Sequence, residues 1–282
     1  MTDMLRLPAP TWFVGCGNMA GAILDGWRLA GVDVSPITVI RPSGKAIEGT
    51  RTVTKLAEAG PPPKLVVLGV KPQKLDEVAP ELRQRLSART VVISLLAGVE
   101  AASLRQRFPG AGAVVRALPN LPVAVRRGVT GLYSVDADQQ ARDVLNNLFS
   151  ALGFAMWMAD EAKLSALGSV AGAGPAYVAR FIAALANAGV RRGLTEEIAA
   201  TIARETVLGT AWMAAMTSED MASIARRVAS PNGTTEAGLA VLDREHVLEE
   251  LIAVTIDAAA RRGAELAEEA KTASLEEPAR LP

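Results

Sequence analysis

The chain reads as two domains in series: a doubly wound α/β sheet over residues 1–159, then an all-α domain over 160–282. Three observations lead there. Residues 11–158 alternate short apolar runs with amphipathic stretches, the pattern of parallel strands joined by crossover helices. A glycine pair, Gly15 and Gly17, follows the first apolar run directly. From about Asp160 the alternation stops, and helical periodicity takes over in Ala-rich sequence.

The elements follow in order. Residues 11–14 (TWFV) form a short apolar strand, and 17–31 a helix with apolar residues at helical spacing and Gly31 to close it. Residues 37–40 (ITVI) are β-branched. Residues 64–70 and 90–98 are continuous apolar runs, as in strands buried on both faces of a parallel sheet. Between them, 71–86 reads as an amphipathic helix. Further strands fall at 112–118, 128–134 and 153–158, with a helix at 136–153 that Asp136 is placed to cap. In the second half, Pro175 follows Gly174 at a helix start and Thr195 caps another helix. The last residues, 272–282, read as frayed.

Composition narrows the function. Thirty basic and thirty acidic residues cancel, so neither nucleic acid nor an anionic membrane is an expected partner. Aromatic residues are only 4%, which argues against base-stacking platforms. One cysteine, Cys16, excludes an internal disulfide, and with a single histidine, His246, a Cys/His metal site is not expected. The N-terminal sequence shows no signal pattern and no apolar run reads as membrane-spanning, so a cytoplasmic protein is expected. The Ala load points to closely packed helices and buried contacts between subunits.

The chemistry-bearing motifs begin with "GCGNMAG", residues 15–21, between strand and helix. Gly15 allows the tight turn, Gly17 lets the backbone approach a pyrophosphate, and Ala20 keeps helix and strand close. The amides around Asn18 and Met19 open the helix and suit phosphate. At the end of the second strand a site for NAD needs an acid. The chain has Arg41, Ser43 and Lys45 there and no acid before Glu48, which suits the 2′-phosphate of NADP(H), with NADH a weaker substitute. "GVKPQ" and "LLAGV" end two further strands, so Val70, Lys71, Pro72, Ala97 and Gly98 are placed along the cofactor cleft. A solvated helix start is the plainer role for Lys71. Asn120, between Pro119 and Pro122, is either a cofactor contact or part of a rigid turn.

"ASPNGTTEAGL", residues 229–239, breaks an otherwise seamless helical region. Thr234 or Thr235 can cap the new helix, and Glu236 supports its first turn. A cap explains one threonine and leaves the other over. A bent helix start with two hydroxyls is also a carboxylate site. His246, among charges near a helix start, reads as solvated. Cys16 lies at a helix N-terminus, which lowers a thiol pKa, yet it also fits as a small residue beside the pyrophosphate.

These pieces, in this order, resemble the pyrroline-5-carboxylate reductase family over roughly residues 11 to 270: "GCGNMAGAI", "VKP", "LAGV", "RALPNLPVAVRRGVTGL", "GAGPAYVARFIAALANAGVRRGL", "ETVLGTA" and "VASPNGTTEAGLAVLD". The resemblance implies a Rossmann domain followed by a helical domain that interlocks with a second subunit. It implies NADPH as hydride donor and a small cyclic imino acid as substrate. It implies that the carboxylate is held at Asn232, Gly233, Thr234 and Thr235, with the Thr235 hydroxyl on the ring nitrogen as the catalytic contact. Reduction of a protonated imine needs neither histidine nor metal, in keeping with the composition. Two departures stand out: Ala171 and Ala173 replace serines of the family pattern, and Asn232 replaces a glycine. A reductase of a related cyclic imine and a non-catalytic NADPH-binding dimer stay open as alternatives. A β-hydroxyacid dehydrogenase would use Lys163 with an asparagine one turn later, where this chain has Leu167.

Overall fold

The computed structural model describes residues 5–275, with side chains to residue 268. By packing, the chain divides into two compact units, residues 1–173 with 259–282, and residues 174–258; each is described by itself.

The first unit is built on an eight-stranded sheet. Its strands are β1 (Thr11–Val14), β2 (Ile37–Ile40), β3 (Arg51–Val53), β4 (Leu65–Leu68), β5 (Val91–Ser94), β6 (Ala113–Pro119), β7 (Gly128–Tyr133) and β8 (Gly153–Trp157). They lie in the order β3-β2-β1-β4-β5-β6-β7-β8. All neighbours are parallel except β6 and β7. The order reverses between β1 and β4, which opens a crevice at the carboxyl ends of those strands.

Side chains alternate between two cores, one on each face. Phe13, Val39, Leu65, Val67, Ile93 and Val115 face one; Trp12, Val14, Ile40, Val66, Leu68 and Val92 face the other. Both faces are apolar, which is why these strands read as unbroken hydrophobic runs. The first core is closed by α1 (Asn18–Leu29) and α4 (Gln139–Ser150), which the buried Trp27 joins by donating from Nε1 to Leu148 O (2.9 Å). Helix α1 ends as expected at Gly31, whose φ of 77° carries the bonds Gly31 N–H to Arg28 O and Val32 N–H to Trp27 O. The second core is closed by α2 (Leu75–Arg83) and α3 (Ala101–Arg107).

Three local readings are corrected. Asp138, not Asp136, caps α4, accepting from the Ala141 amide. Asp136 instead receives the Arg105 guanidinium, the Val114 amide and the Ser134 hydroxyl. The short strand β3 and the short helix α3 arise where no element is expected. Residues 71–86 divide into a 3₁₀ turn, Pro72–Lys74, and α2.

Beyond the sheet every element is helical. Helix α5 (Glu161–Leu167) is capped by Asp160, and a π-turn over Gly168–Gly172 runs on into α6 (Gly174–Arg191). Because these pieces are continuous, Glu161–Arg191 forms a 31-residue stretch long and apolar enough to cross a membrane by length and composition, against the expectation that none would be. Alanine and glycine are weakly apolar, so such a run is hard to see as one block in the sequence. Helix α7 (Glu196–Met216) is capped by Thr195, as expected, and α8 (Met221–Val228) by Asp220. Helix α9 (Thr234–Asp243) and the long α10 (Val247–Leu275) follow. The expected fraying from residue 272 falls partly on α10 and otherwise outside the described residues.

From α6 to residue 268 the buried side chains are only Ala199, Ala203 and Ile224. Large apolar side chains such as Phe181 (52%), Ile202 (50%), Leu208 (58%) and Leu251 (59%) are exposed on the chain by itself.

Candidate active site

The first unit gathers its candidate residues along one edge of the sheet. Gly15–Ala20 follow β1, Arg41 and Ser43 follow β2, Val70–Pro72 follow β4, Ala97 and Gly98 follow β5, and Asn120 follows β6. These five strands are contiguous in the sheet.

The glycine turn is fixed by backbone contacts. Gly15 has a φ of 83°, its amide donates to Ile40 O (2.8 Å), and an added Cβ would lie 2.7 Å from Val70 N and 2.8 Å from Gly69 O. No other residue fits. Gly17 is different: its φ is −87°, and an added Cβ would meet nothing within 4 Å. Its missing side chain therefore keeps space open. It is the N-cap of α1, with no side-chain cap, and the first intrahelical bond runs from Gly21 N–H to Gly17 O. The amides of Asn18, Met19 and Ala20 thus open the helix beside empty space, an arrangement suited to a pyrophosphate.

Cys16 in this turn is half-buried, and burial pushes its thiol above its ordinary value; Asp25 adds to this and the Arg41 guanidinium opposes it. The helix N-terminus does not make it a thiolate. Arg41 leads a tight turn closed by Gly44 N–H on Arg41 O (3.0 Å), with Ser43 and Lys45 exposed. Between the end of β2 and Glu48 the chain has no acid, and the Glu48 carboxylate pairs with Arg28 (3.1 Å). Lys71 is exposed at the N-cap of the 3₁₀ turn.

Asn120 is buried and its carboxamide is engaged at both ends. Oδ1 accepts from the Val129 amide (2.8 Å) and Nδ2 donates to Ala171 O (3.0 Å). These bonds tie the end of β6 to the π-turn. The carbonyl of Ala171 is what Asn120 holds, so the missing serine hydroxyl at that position leaves this tie intact.

The second unit carries the helix break. Ser230 O accepts from the Gly233 amide (2.9 Å), closing a turn in which Asn232 is left-handed (φ 55°). Asparagine tolerates that conformation, which accounts for its standing where the family pattern has glycine. An added Cβ at Gly233 would lie 2.9 Å from the backbone oxygen Ser230 O as well as 2.3 Å from Ser230 Oγ, so the turn crowds any side chain here. Neither threonine caps α9. Gly233 is its N-cap, with no side-chain cap, and Thr234 and Thr235 are its first two residues. The Glu236 carboxylate reaches back to the Asn232 amide (2.6 Å). The capping role expected of a threonine is thus filled by a glycine and a glutamate, and neither hydroxyl is needed for it.

His246 is 78% exposed in a left-handed turn and pairs with Glu249, and Lys163 is exposed beside Asp160. Among the described residues no group of three or more His, Cys, Asp or Glu side chains stands ready for a metal.

The chain is 36% identical over 264 residues to a pyrroline-5-carboxylate reductase of Pseudomonas aeruginosa, covering 91% of this chain and 96% of that one. The chain belongs to the pyrroline-5-carboxylate reductase family. A reductase of the same name from Pisum sativum is 32% identical, with 90% and 94% covered. The family model "Pyrroline-5-carboxylate reductase dimerisation" matches residues 161–266, and "NADP oxidoreductase coenzyme F420-dependent" matches residues 12–98. Among solved structures, a pyrroline-5-carboxylate reductase from Coxiella burnetii superposes with a TM-score of 0.84 at 32% identity, covering 92% of this chain and 99% of that one. A pyrroline carboxylate reductase from Plasmodium falciparum with NADP bound shares the fold at 22% identity, with a TM-score of 0.82 and 94% and 100% covered.

Proposed function

We propose that this reductase converts Δ1-pyrroline-5-carboxylate to L-proline with NADPH, as the last step of proline synthesis, in the cytoplasm. The single observation that carries the reading is the start of α9: a helix opened by Gly233, with two hydroxyls that the fold does not use as caps.

The residues fit the dinucleotide. The amides of Asn18–Ala20 would hold its pyrophosphate in the space kept open at Gly17. Arg41, Ser43 and Lys45 would hold the 2′-phosphate. Val70–Pro72 and the Ala97–Gly98 turn would line its nicotinamide half. Bound there, NADPH supplies a hydride.

The rest is positioning. The amides at Gly233–Thr235 and the positive end of α9 hold the substrate carboxylate. The Thr235 hydroxyl accepts from the protonated ring nitrogen and fixes which face of the ring is presented. Hydride added to the imine carbon draws the C=N electron pair onto nitrogen, which already carries its proton, and the product is the secondary amine. No protein acid has to deliver a proton, which suits a chain with one exposed histidine.

We further propose a functional division into a cofactor domain, 1–159, and a substrate and dimerisation domain, 160–282, that pairs with a second copy of the chain. The near-absence of buried side chains from α6 to residue 268 supports this. A helical unit that buries so little cannot offset its own chain entropy without a partner. The same partner accounts for the apolar run Glu161–Arg191 without a membrane.

The test is NADPH consumption followed by absorbance with Δ1-pyrroline-5-carboxylate, with the six-membered piperideine acid and NADH in parallel. The reading expects the five-membered acid and NADPH to give the highest kcat/KM. Preference for the larger ring would assign the site to a different imine. Tight NADPH binding with no turnover on either would remove the enzyme reading.

A further inference from the structure

We infer that the ion pair of Arg116 and Glu161 is the positioning element for the Ala97–Gly98 turn, and thereby sets affinity for the dinucleotide; this rests on the cofactor reading above.

Arg116 lies in β6 and is 5% exposed, among the apolar neighbours Val114, Val115 and Ala117. Its Nη1 donates to Glu161 Oε1 at 2.7 Å. The same oxygen accepts from the Ala101 amide at 2.9 Å. One carboxylate oxygen thus joins β6, the first residue of α3 and the first residue of α5. Arg116 Nε is buried without a partner. A buried guanidinium with an unmet donor is a poor way to stabilise a strand that an apolar residue would fill. Its presence is accounted for by what it holds. Glu161 is 29% exposed and would otherwise turn toward water; Arg116 keeps it on the Ala101 amide.

What that amide controls is the turn between β5 and α3. The turn leaves β5 with the Leu96 amide on Ser94 Oγ (3.3 Å) and buries Leu96 and Val99. Between these two anchors Ala97 is exposed and Gly98 is left-handed, with φ 77°. The backbone of α10 stands on the other side of Gly98, where an added Cβ would lie 3.2 Å from Ala267 N. The turn is therefore held at its start by Ser94, at its end by Glu161 and from behind by α10. Only the exit anchor depends on a charge brought from a distant part of the chain, and without it the exposed tip loses its fixed direction.

The experiment compares wild type with Glu161→Gln, Glu161→Ala and Arg116→Met in the full chain. NADPH binding is read by nicotinamide fluorescence, with melting temperature and KM for both substrates alongside. Loss of one charge-assisted bond predicts that Glu161→Ala weakens NADPH binding by about tenfold. The KM for the imine and the kcat at saturating NADPH should stay within about twofold of wild type. Glu161→Gln, which keeps an acceptor oxygen for Ala101, should recover most of the affinity. Arg116→Met should show the same NADPH-specific loss even if its melting temperature matches or exceeds wild type. Variants that melt lower yet bind NADPH as wild type does would overturn the inference. So would losses shared equally by both substrates, which report general damage. Failure of wild type itself to bind NADPH would instead overturn the cofactor reading beneath it.

Discussion

Gly15 and Gly17 stand two residues apart in one turn, and the structure gives alanine opposite effects at them. At Gly15 a methyl group would sit 2.7–2.8 Å from Val70 N and Gly69 O, against ordinary contacts that begin at 3.4 Å. The neighbours are backbone and would have to move by at least 3.4 − 2.8 = 0.6 Å. The left-handed conformation costs about 1–2 kcal/mol for alanine, and the overpacking about 1–3 more. Together these predict a fall in melting temperature of roughly 5–15 °C. At Gly17 the backbone is ordinary and the methyl meets nothing within 4 Å, so Gly17→Ala should change stability by less than about 1 kcal/mol. The methyl would instead enter the space left for the pyrophosphate. Loss of one amide bond to a charged oxygen, about 1.5–3 kcal/mol, weakens NADPH by roughly ten- to a hundredfold. Differential scanning fluorimetry and a nicotinamide fluorescence titration measure the two quantities separately. Wild-type NADPH affinity in Gly17→Ala, or a Gly15→Ala protein as stable as wild type, would refute the reasoning.

Three further outcomes are expected. Burial acts to raise the Asp136 carboxyl, but bonds from the Val114 amide, Arg105 and Ser134 outweigh it and hold the group below its ordinary value. Its stabilising contribution is therefore complete above the unfolded carboxyl range and is lost as pH falls through the lower folded value; Asp136→Asn should cost about 2 kcal/mol at neutral pH, with the gap to wild type closing in urea melts as pH falls below the ordinary carboxyl range. Arg41→Ala with Lys45→Ala should lower kcat/KM for NADPH by about tenfold or more and leave NADH nearly unchanged; equal losses for both cofactors would deny these cations a role at the 2′-phosphate. Leu208→Asp places a charge on an exposed apolar face and should shift the assembly toward monomer in light scattering with a lower melting temperature; an unchanged dimer would place the interface elsewhere.

How far the sequence carries depends on the range of the interaction. Strands buried on both faces are unbroken apolar runs, so β1, β2, β4 and β5 are legible from local composition. The strand β3 is three residues long with an exposed first position, and α3 is seven residues without a side-chain cap, so neither leaves a periodic signal. Asp136 and Asp138 are equally good caps in sequence; the choice falls to Asp138 because Arg105, 31 residues earlier in the chain, claims Asp136. At α9 the break is legible, while the identity of the cap depends on the close approach of Ser230 to Gly233. The Arg116–Glu161 contact joins residues 45 apart through a sheet and a helix start, and no spacing rule marks it.

The most direct test of the account is the Thr235 hydroxyl. NADPH oxidation with Δ1-pyrroline-5-carboxylate should be fast for wild type and fall by about ten- to a hundredfold in kcat/KM for Thr235→Ala, the loss of one bond to a charged nitrogen. NADPH affinity should be unchanged, and Thr235→Ser should restore most of the rate. A Thr235→Ala enzyme that turns over as wild type does would contradict the account, because the broken helix would then have no part in the reaction.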